Sequence, residues 1–228
     1  MAQELTSSNL CHRLLKEGAS KLSDSELVAI LLETTPSGEE MMTLHLARQL
    51  LKYDGELCLF LGLVRDWLWY TQESLKPNEA FLKASFEVQR RALIKVLKNC
   101  NAILYPDLTR HFLMSELSGR AGSVLSGLFL NQQHRMLGFE DLFCGSYDDT
   151  NIYHRDTILK EVKRNIKRYS ATEFLMVRSH NFSVDATPTP ADISLTRWLM
   201  RRLRFTGVLL LDYRSEGSSI SSAKQWLI

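Results

Sequence analysis

The sequence predicts an α/β protein, with a helical module over residues 1–103 followed by a domain of strands and helices over residues 104–228. Two observations predict this division. Apolar residues recur at helical spacing through most of the first hundred positions. Later in the chain, residues 125–130 and 174–177 form short apolar runs that suit buried strands. A chain of 228 residues, 45% of them hydrophobic, can hold one medium domain or two small ones.

Three helices are predicted in the first module. A helix should begin after Ser23, because Ser23 and Glu26 have the spacing of a capping box and precede an apolar run. A second helix is predicted from about residue 42 towards the turn at residues 53–55. A third is predicted from apolar residues at helical spacing, namely Phe81, Ala84, Val88, Leu93 and Leu97.

The second module should contain a helix that lies on a sheet. Residues 155–169 place Ile158, Val162 and Ile166 on one helical face and basic residues on another. The apolar residues 208–211 predict one more strand.

Composition excludes several classes of protein. No apolar run approaches the roughly 20 residues that a membrane span needs, and the first residues lack the basic and apolar regions of a signal peptide. A cytoplasmic protein without membrane association is therefore expected. The four cysteines are more than 40 residues apart, so buried free thiols are expected rather than a cysteine-based metal site.

Positive charge is concentrated in one part of the chain. The net charge is only +2, yet residues 155–204 contain eleven Lys and Arg against five Asp and Glu. This surplus predicts either a solvated exterior or a surface for nucleic-acid phosphates or an acidic protein. The candidate residues, here called the basic helices, are Lys160, Lys163, Arg164, Lys167, Arg197, Arg201, Arg202 and Arg204.

Several blocks, in order and covering most of the chain, resemble the bacterial RadC family. They are residues 14–19, 22–32, Glu87 with Arg90 and Arg91, 128–135, 142–146 and 187–192. The resemblance implies an N-terminal helical region with a helix-hairpin-helix element, followed by a JAB/MPN metalloprotease-like domain with a mixed sheet. A boundary near residue 104 agrees with that organisation.

The resemblance also implies a zinc constellation, most of which is replaced in this chain. Working JAB/MPN hydrolases have a glutamate, then His-x-His, then seven residues and Ser-x-x-Asp; the histidines and the aspartate hold zinc, which activates water. Ungapped alignment puts the glutamate position on Ser123, the histidine positions on Ser179 and Asn181, and the serine position on Thr189. Only the aspartate, Asp192, is kept.

A second alignment with one residue deleted matches His180 to the first histidine but puts Phe182 at the second. Neither alignment supplies two imidazoles, and a serine at position 123 cannot transfer protons as a carboxylate does. Glu140 is the next carboxylate along the chain, but no motif assigns it a role.

Asp192 also has an explanation that needs no metal. Thr189 can be the N-cap of a helix, with Pro190 at its first position and Asp192 completing a capping box. His180 on its own is more typical of a hydrogen-bonded loop histidine than of a metal ligand.

The hairpin that the resemblance implies aligns with residues 73–76, which lack glycine and contain Glu73. Added Cβ atoms and a negative charge disfavour a close approach of DNA phosphates to this turn.

These observations favour a RadC-like pseudoenzyme without a cofactor that serves as a binding or assembly module. A protein partner is expected, non-specific nucleic-acid association is compatible with this role, and a homodimer is allowed. The alternative is a zinc-dependent metallohydrolase, protease- or isopeptidase-like, with rearranged ligands.

Overall fold

The computed structural model describes residues 7–32, 45, 47, 48, 79–117, 122–145, 152–179, 189–216 and 220–222. The chain divides into two compact units, Met1–Val96 and Leu97–Ile228. The domain boundary near residue 104 stays a prediction. Within the described residues, no helix is both long enough and apolar enough to cross a bilayer.

The N-terminal unit is helical where it is described. It contains α1 (Ser7–Glu17), a short 3-10 helix (Ala19–Lys21), α2 (Asp24–Leu32) and most of α3 (Glu79–Asn99). Its core joins α1, α2 and α3 through buried side chains that include Leu14, Leu27 and Phe81. Burial of such apolar faces is what stabilises short helices in a protein. All five residues that predicted the third helix are buried in α3, which confirms it.

The predicted capping box at the start of α2 is confirmed. The Ser23 N–H donates to Glu26 Oε2 at 2.7 Å, and the Glu26 N–H donates to Ser23 Oγ at 3.3 Å. Burial acts to raise the pKa of Glu26, but hydrogen bonds from Ser23 and from Arg13 outweigh it and leave the pKa below its usual value.

Arg91 connects α3 to the start of α2. Its guanidinium donates to Glu87 Oε1 at 2.7 Å, to Asp24 Oδ1 at 2.6 Å and to the carbonyl oxygens of Ala19 and Leu22 at 3.1 and 2.8 Å. Four acceptors around one planar cation use the several donors that distinguish arginine from lysine. The Glu87 and Arg91 pair of the RadC-like block is therefore part of the scaffold of this unit.

The C-terminal unit begins with the end of α3 and with α4 (Pro106–Leu117), and its centre is a five-stranded sheet. The strands are β1 (Val124–Leu130), β2 (Met136–Cys144), β3 (Glu173–Ser179), β4 (Leu209–Glu216) and β5 (Ile220–Ser222), in the order β2-β1-β3-β4-β5. The pairing of β3 with β4 is parallel and the others are antiparallel. The expected mixed sheet is thus confirmed.

Helices α5 (Ile152–Tyr169) and α6 (Pro190–Leu203) contribute to the main core of this unit. Ile158 and Val162 of α5 are fully buried, together with Leu195 and Leu199 of α6. Every residue of β1 and β3 is buried, as expected for strands covered on both faces. The predicted strands at 125–130 and 174–177 and the helix at 155–169 are confirmed. The strand predicted at 208–211 is observed one residue later and is longer, at Leu209–Glu216.

Besides the short 3-10 helix, four described elements were not predicted from the sequence: α1, α4, β2 and β5. Strand β2 lies at the edge of the sheet and mixes Gly138, Glu140 and Asp141 with apolar residues, so it lacks a continuous apolar run. Its alternation is also interrupted, because the register with β1 shifts twice.

Some predictions fall outside the described residues: the hairpin predicted at 73–76, with Glu73, and the motif positions His180, Asn181 and Phe182. Of the predicted second helix, only residues 45, 47 and 48 are described, and they are helical.

None of the described cysteines, Cys11, Cys100 and Cys144, forms a disulfide, as expected. The expectation of buried thiols is wrong for Cys144, which is exposed at the end of the edge strand, and Cys11 and Cys100 are half-buried.

Candidate functional site

The described positions of the zinc motif lie at the ends of β1 and β3 and at the start of α6. Ser123 precedes β1, and its carbonyl oxygen accepts the Gly145 N–H at 2.8 Å. Ser179 ends β3, and its hydroxyl accepts the Val124 N–H at 3.2 Å. Both serines thus contribute to the hydrogen bonding around the start of β1. Ser123 has no carboxylate with which to act as a general base.

Asp192 is completely buried in the first turn of α6. Its Oδ2 accepts the Thr189 N–H at 2.9 Å and the Thr189 hydroxyl at 2.7 Å, while its own N–H donates to Thr189 Oγ1 at 3.2 Å. Pro190 occupies the first turn, where its missing N–H costs nothing. The predicted capping box is therefore confirmed, and it occupies one oxygen of the Asp192 carboxylate.

The other oxygen faces an arginine that the sequence analysis did not single out. Arg178 Nη1 lies 3.0 Å from Asp192 Oδ1, and the Arg178 side chain is only 6% exposed. Side chains alternate between the faces of a strand, so Arg178 and Ser179 extend to opposite sides of β3. The structure thus brings Arg178 to Asp192, while the Ser179 hydroxyl bonds to the backbone of β1. A lone arginine at the end of an apolar strand is the sequence signal that could have identified it.

The residues present do not fit a zinc ion at Asp192. Guanidinium keeps its proton at any ordinary pH, so a divalent cation beside Asp192 would be repelled by a buried positive charge. Catalytic zinc is held by three protein ligands of the His, Cys, Asp or Glu type. Nowhere in the described part of the chain do three such side chains form a group that could hold a metal.

Glu140 takes part in packing at the edge of the sheet. It accepts hydrogen bonds from the Tyr169 hydroxyl and from Arg168, the latter at 2.8 Å. Burial and the Glu140 carboxylate both raise the pKa of the Tyr169 hydroxyl. A Cβ added at Gly138 would lie 2.4 Å from the Tyr169 ring, so glycine is what permits this contact between β2 and α5.

All eight side chains of the basic helices are exposed, and they lie on α5, on α6 and at its C-terminal end. One of them, Arg164, pairs with Glu161 at 2.5 Å, an exposed contact of small energetic value. The structure also adds a residue that the sequence analysis left out of this set. Arg155 of α5 donates to Ser194 Oγ of α6 at 2.9 Å.

Comparisons with known proteins identify the class of this domain. Residues 103–221, which contain the mixed sheet and the helix with Asp192 in its first turn, match the family of the RadC-like JAB domain and so form a domain of the JAB class. Residues 10–65 match the UPF0758 N-terminal family. The chain belongs to the RadC-like UPF0758 family, as its sequence blocks predicted.

Relatives match over nearly the whole chain. A UPF0758 protein of Pseudomonas fluorescens is 36% identical over 216 residues, which cover 93% of this chain and 92% of the relative. One from Azotobacter vinelandii is 35% identical, with 94% of each chain covered. One from Marinobacter nauticus is 33% identical, with 95% of this chain and 94% of the relative covered.

Proposed function

We propose that this RadC-like protein holds no catalytic zinc and acts as a binding or assembly module. The observation that carries the proposal is the buried ion pair between Arg178 and Asp192. It gives the motif aspartate an internal cation, while the capping box uses its second oxygen.

Electrostatics favour the guanidinium over a metal at this position. Zinc would have to displace Arg178 from a buried site and leave its charge without the Asp192 carboxylate, which is expensive in a medium of low dielectric constant. In return it would gain the Asp192 carboxylate, while the Ser179 hydroxyl extends to the opposite side of β3 and bonds to the backbone of β1. Such a ligand set is too weak to offset that cost.

Elemental analysis of the full chain, purified without chelators, tests the metal-free state. We expect far less than one zinc per chain, and no change with Asp192→Asn. One tightly held zinc per chain that is lost in Asp192→Asn would support the alternative, a zinc hydrolase with rearranged ligands.

A pair of designed variants isolates the effect of the guanidinium. Phe182→His gives the gapped alignment both imidazoles, at positions 180 and 182, and a double variant adds Arg178→Ala. We expect the double variant to bind zinc more tightly than the single variant in competition with a chelating dye, since only it lacks the buried cation. Equal affinities would show that Arg178 does not oppose metal binding.

The binding role is supported by the exposed basic helices, which suit an anionic partner. If nucleic-acid phosphates are that partner, binding is weak, independent of sequence and strongly salt-dependent. Mobility shifts over a salt series should then show the slope of log affinity against log salt falling by about three when four residues are changed to glutamate. The four are Lys160, Lys163, Arg164 and Lys167.

If the quadruple variant binds DNA as well as the parent, or the parent does not bind at low salt, nucleic acid is excluded as the partner of these helices. An acidic protein then becomes the partner to test.

A further inference from the structure

An open cleft of about 420 Å³ lies between the first turns of α5 and one side of α6. Six of its lining residues belong to α6, and their positions are spaced so that they lie on one face of that helix. The seventh comes from α5. The lining residues are Arg155, Pro190, Ile193, Ser194, Arg197, Trp198 and Arg201.

The guanidinium of Arg155 is held in place at the wall of this cleft. It donates to Ser194 Oγ at 2.9 Å and lies 5.9 Å from the centre of the Trp198 ring. Arg202 contacts the same ring at 5.6 Å. Cation–π contacts and a hydrogen bond fix Arg155 before any ligand arrives, so binding would cost less conformational entropy.

The chemistry of the lining is that of an anion site. Three of its seven residues are arginines, none is acidic, and Arg197 and Arg201 are exposed to an incoming ligand. A single arginine is enough to bind a carboxylate through two parallel hydrogen bonds. Three arginines around one cleft can bind a ligand that carries more charged oxygens, such as a phosphate group. Pro190, Ile193 and Trp198 add apolar surface, and the volume lies within the range of small-molecule sites.

We propose that this cleft binds a phosphate-bearing ligand of nucleotide size, with Arg155, Arg197 and Arg201 on the phosphate oxygens. The ligand could come from two sources, a free nucleotide or a nucleotide unit of a nucleic-acid strand. The proposal deepens the proposed binding role and does not depend on the absence of zinc, since the cleft uses neither Arg178 nor Asp192.

The fluorescence of Trp198 provides a direct readout. Changing the other three tryptophans, Trp67, Trp69 and Trp226, to phenylalanine leaves Trp198 as the single indole, and a thermal melt checks that this background folds. The background and its variants are titrated at an ionic strength of about 0.15 M, where the Debye length is about 8 Å, with ATP and, separately, with a twelve-nucleotide oligothymidylate. Adding poly-glutamate in a third titration tests an acidic peptide as the ligand.

The decisive variant is Arg197→Gln with Arg201→Gln, which removes two exposed guanidiniums from the lining. We expect about a tenfold loss of affinity for each, since a charge-assisted hydrogen bond contributes on that order. The matched control, Lys98→Gln with Arg135→Gln, removes the same charge from exposed residues of the same unit that do not line the cleft. It should bind within about twofold of the background, because electrostatic effects at a distance are screened.

Each outcome decides the proposal. Loss of ATP binding in the cleft variant alone supports a site for free nucleotides, and loss of oligonucleotide binding alone supports a nucleic-acid strand. Equal losses in the cleft and control variants, binding of poly-glutamate only, or no binding of either phosphate ligand would overturn it. Zinc content, measured on the same samples, separates this result from the metal-free proposal. Finding zinc would leave the test of the cleft intact.

Discussion

Replacing Arg178 by alanine should destabilise the C-terminal unit strongly. The Asp192 carboxylate is completely buried, and among the described residues removal of Arg178 leaves it with its two hydrogen bonds from Thr189 but without a countercharge. Loss of one partner from a buried ion pair costs about 3–5 kcal/mol. In a unit of about 130 residues this corresponds to a fall in Tm of roughly 10 °C or more.

Urea unfolding followed by circular dichroism measures this cost, with Arg135→Ala as the control because its side chain is exposed. The double variant Arg178→Ala with Asp192→Asn should lose less than the sum of the two single losses, since neither partner is then a lone buried charge. If Arg178→Ala lowers the free energy of unfolding by less than about 1 kcal/mol, the ion pair with Arg178 is not what Asp192 contributes to the stability of the fold. Strictly additive losses in the two single variants would refute that claim as well.

Three further predictions concern the cap, the edge strand and the N-terminal unit. Thr189→Ala removes the N-cap of α6 and should cost about 1 kcal/mol with or without added zinc; a loss seen only with zinc, in paired thermal melts, would favour a metal site. Gly138→Ala forces a Cβ against Tyr169 and should cost about 1–3 kcal/mol, a penalty that denaturation curves should no longer show in a Tyr169→Ala background. Burial acts to raise the pKa of Glu87, but its hydrogen bonds and charge interactions with Arg90 and Arg91 hold that pKa below 4.5. The ionised carboxylate therefore stabilises the fold above about pH 4.5, and this stabilisation is lost as the pH falls through the lowered pKa. Glu87→Gln should therefore flatten the decline of stability between neutral and acidic pH, and an unchanged pH profile would contradict the assignment.

The sequence predicted the elements whose pattern is local and regular. A capping box marks the start of a helix within four residues of sequence. The boxes predicted at Ser23 and at Thr189 are both present in the structure. The buried strands β1 and β3 were evident as apolar runs, whereas β2 was missed because an edge strand combines buried and exposed positions. Periodicity carries no signal for a strand that is interrupted by Gly138 and two acidic residues.

The candidate site was only partly predictable, because its decisive contact joins separate elements. The replaced ligand positions could be read by alignment, but the partner of Asp192 lies 14 positions earlier on a different element. Nothing local to residue 178 shows that its guanidinium meets a carboxylate at the start of α6. Arg155 was likewise missing from the predicted basic set, since only the packing of α5 beside α6 brings it to Ser194 and Trp198.

The buried pair of Arg178 and Asp192 also restricts the order in which substitutions could create a metal centre in this chain. Introducing a second histidine at position 182, beside His180 in the gapped alignment, gains nothing while the guanidinium stays beside Asp192. Removing Arg178 first leaves the carboxylate without its cation. The expected loss in the free energy of unfolding, about 3–5 kcal/mol, is a large part of the total stability of an ordinary domain. Each single step is thus neutral or unfavourable, and only their combination yields a ligand set. If the chain holds no metal, as proposed, single substitutions lead towards a metal-binding arrangement only through variants that are less stable or no better at binding zinc.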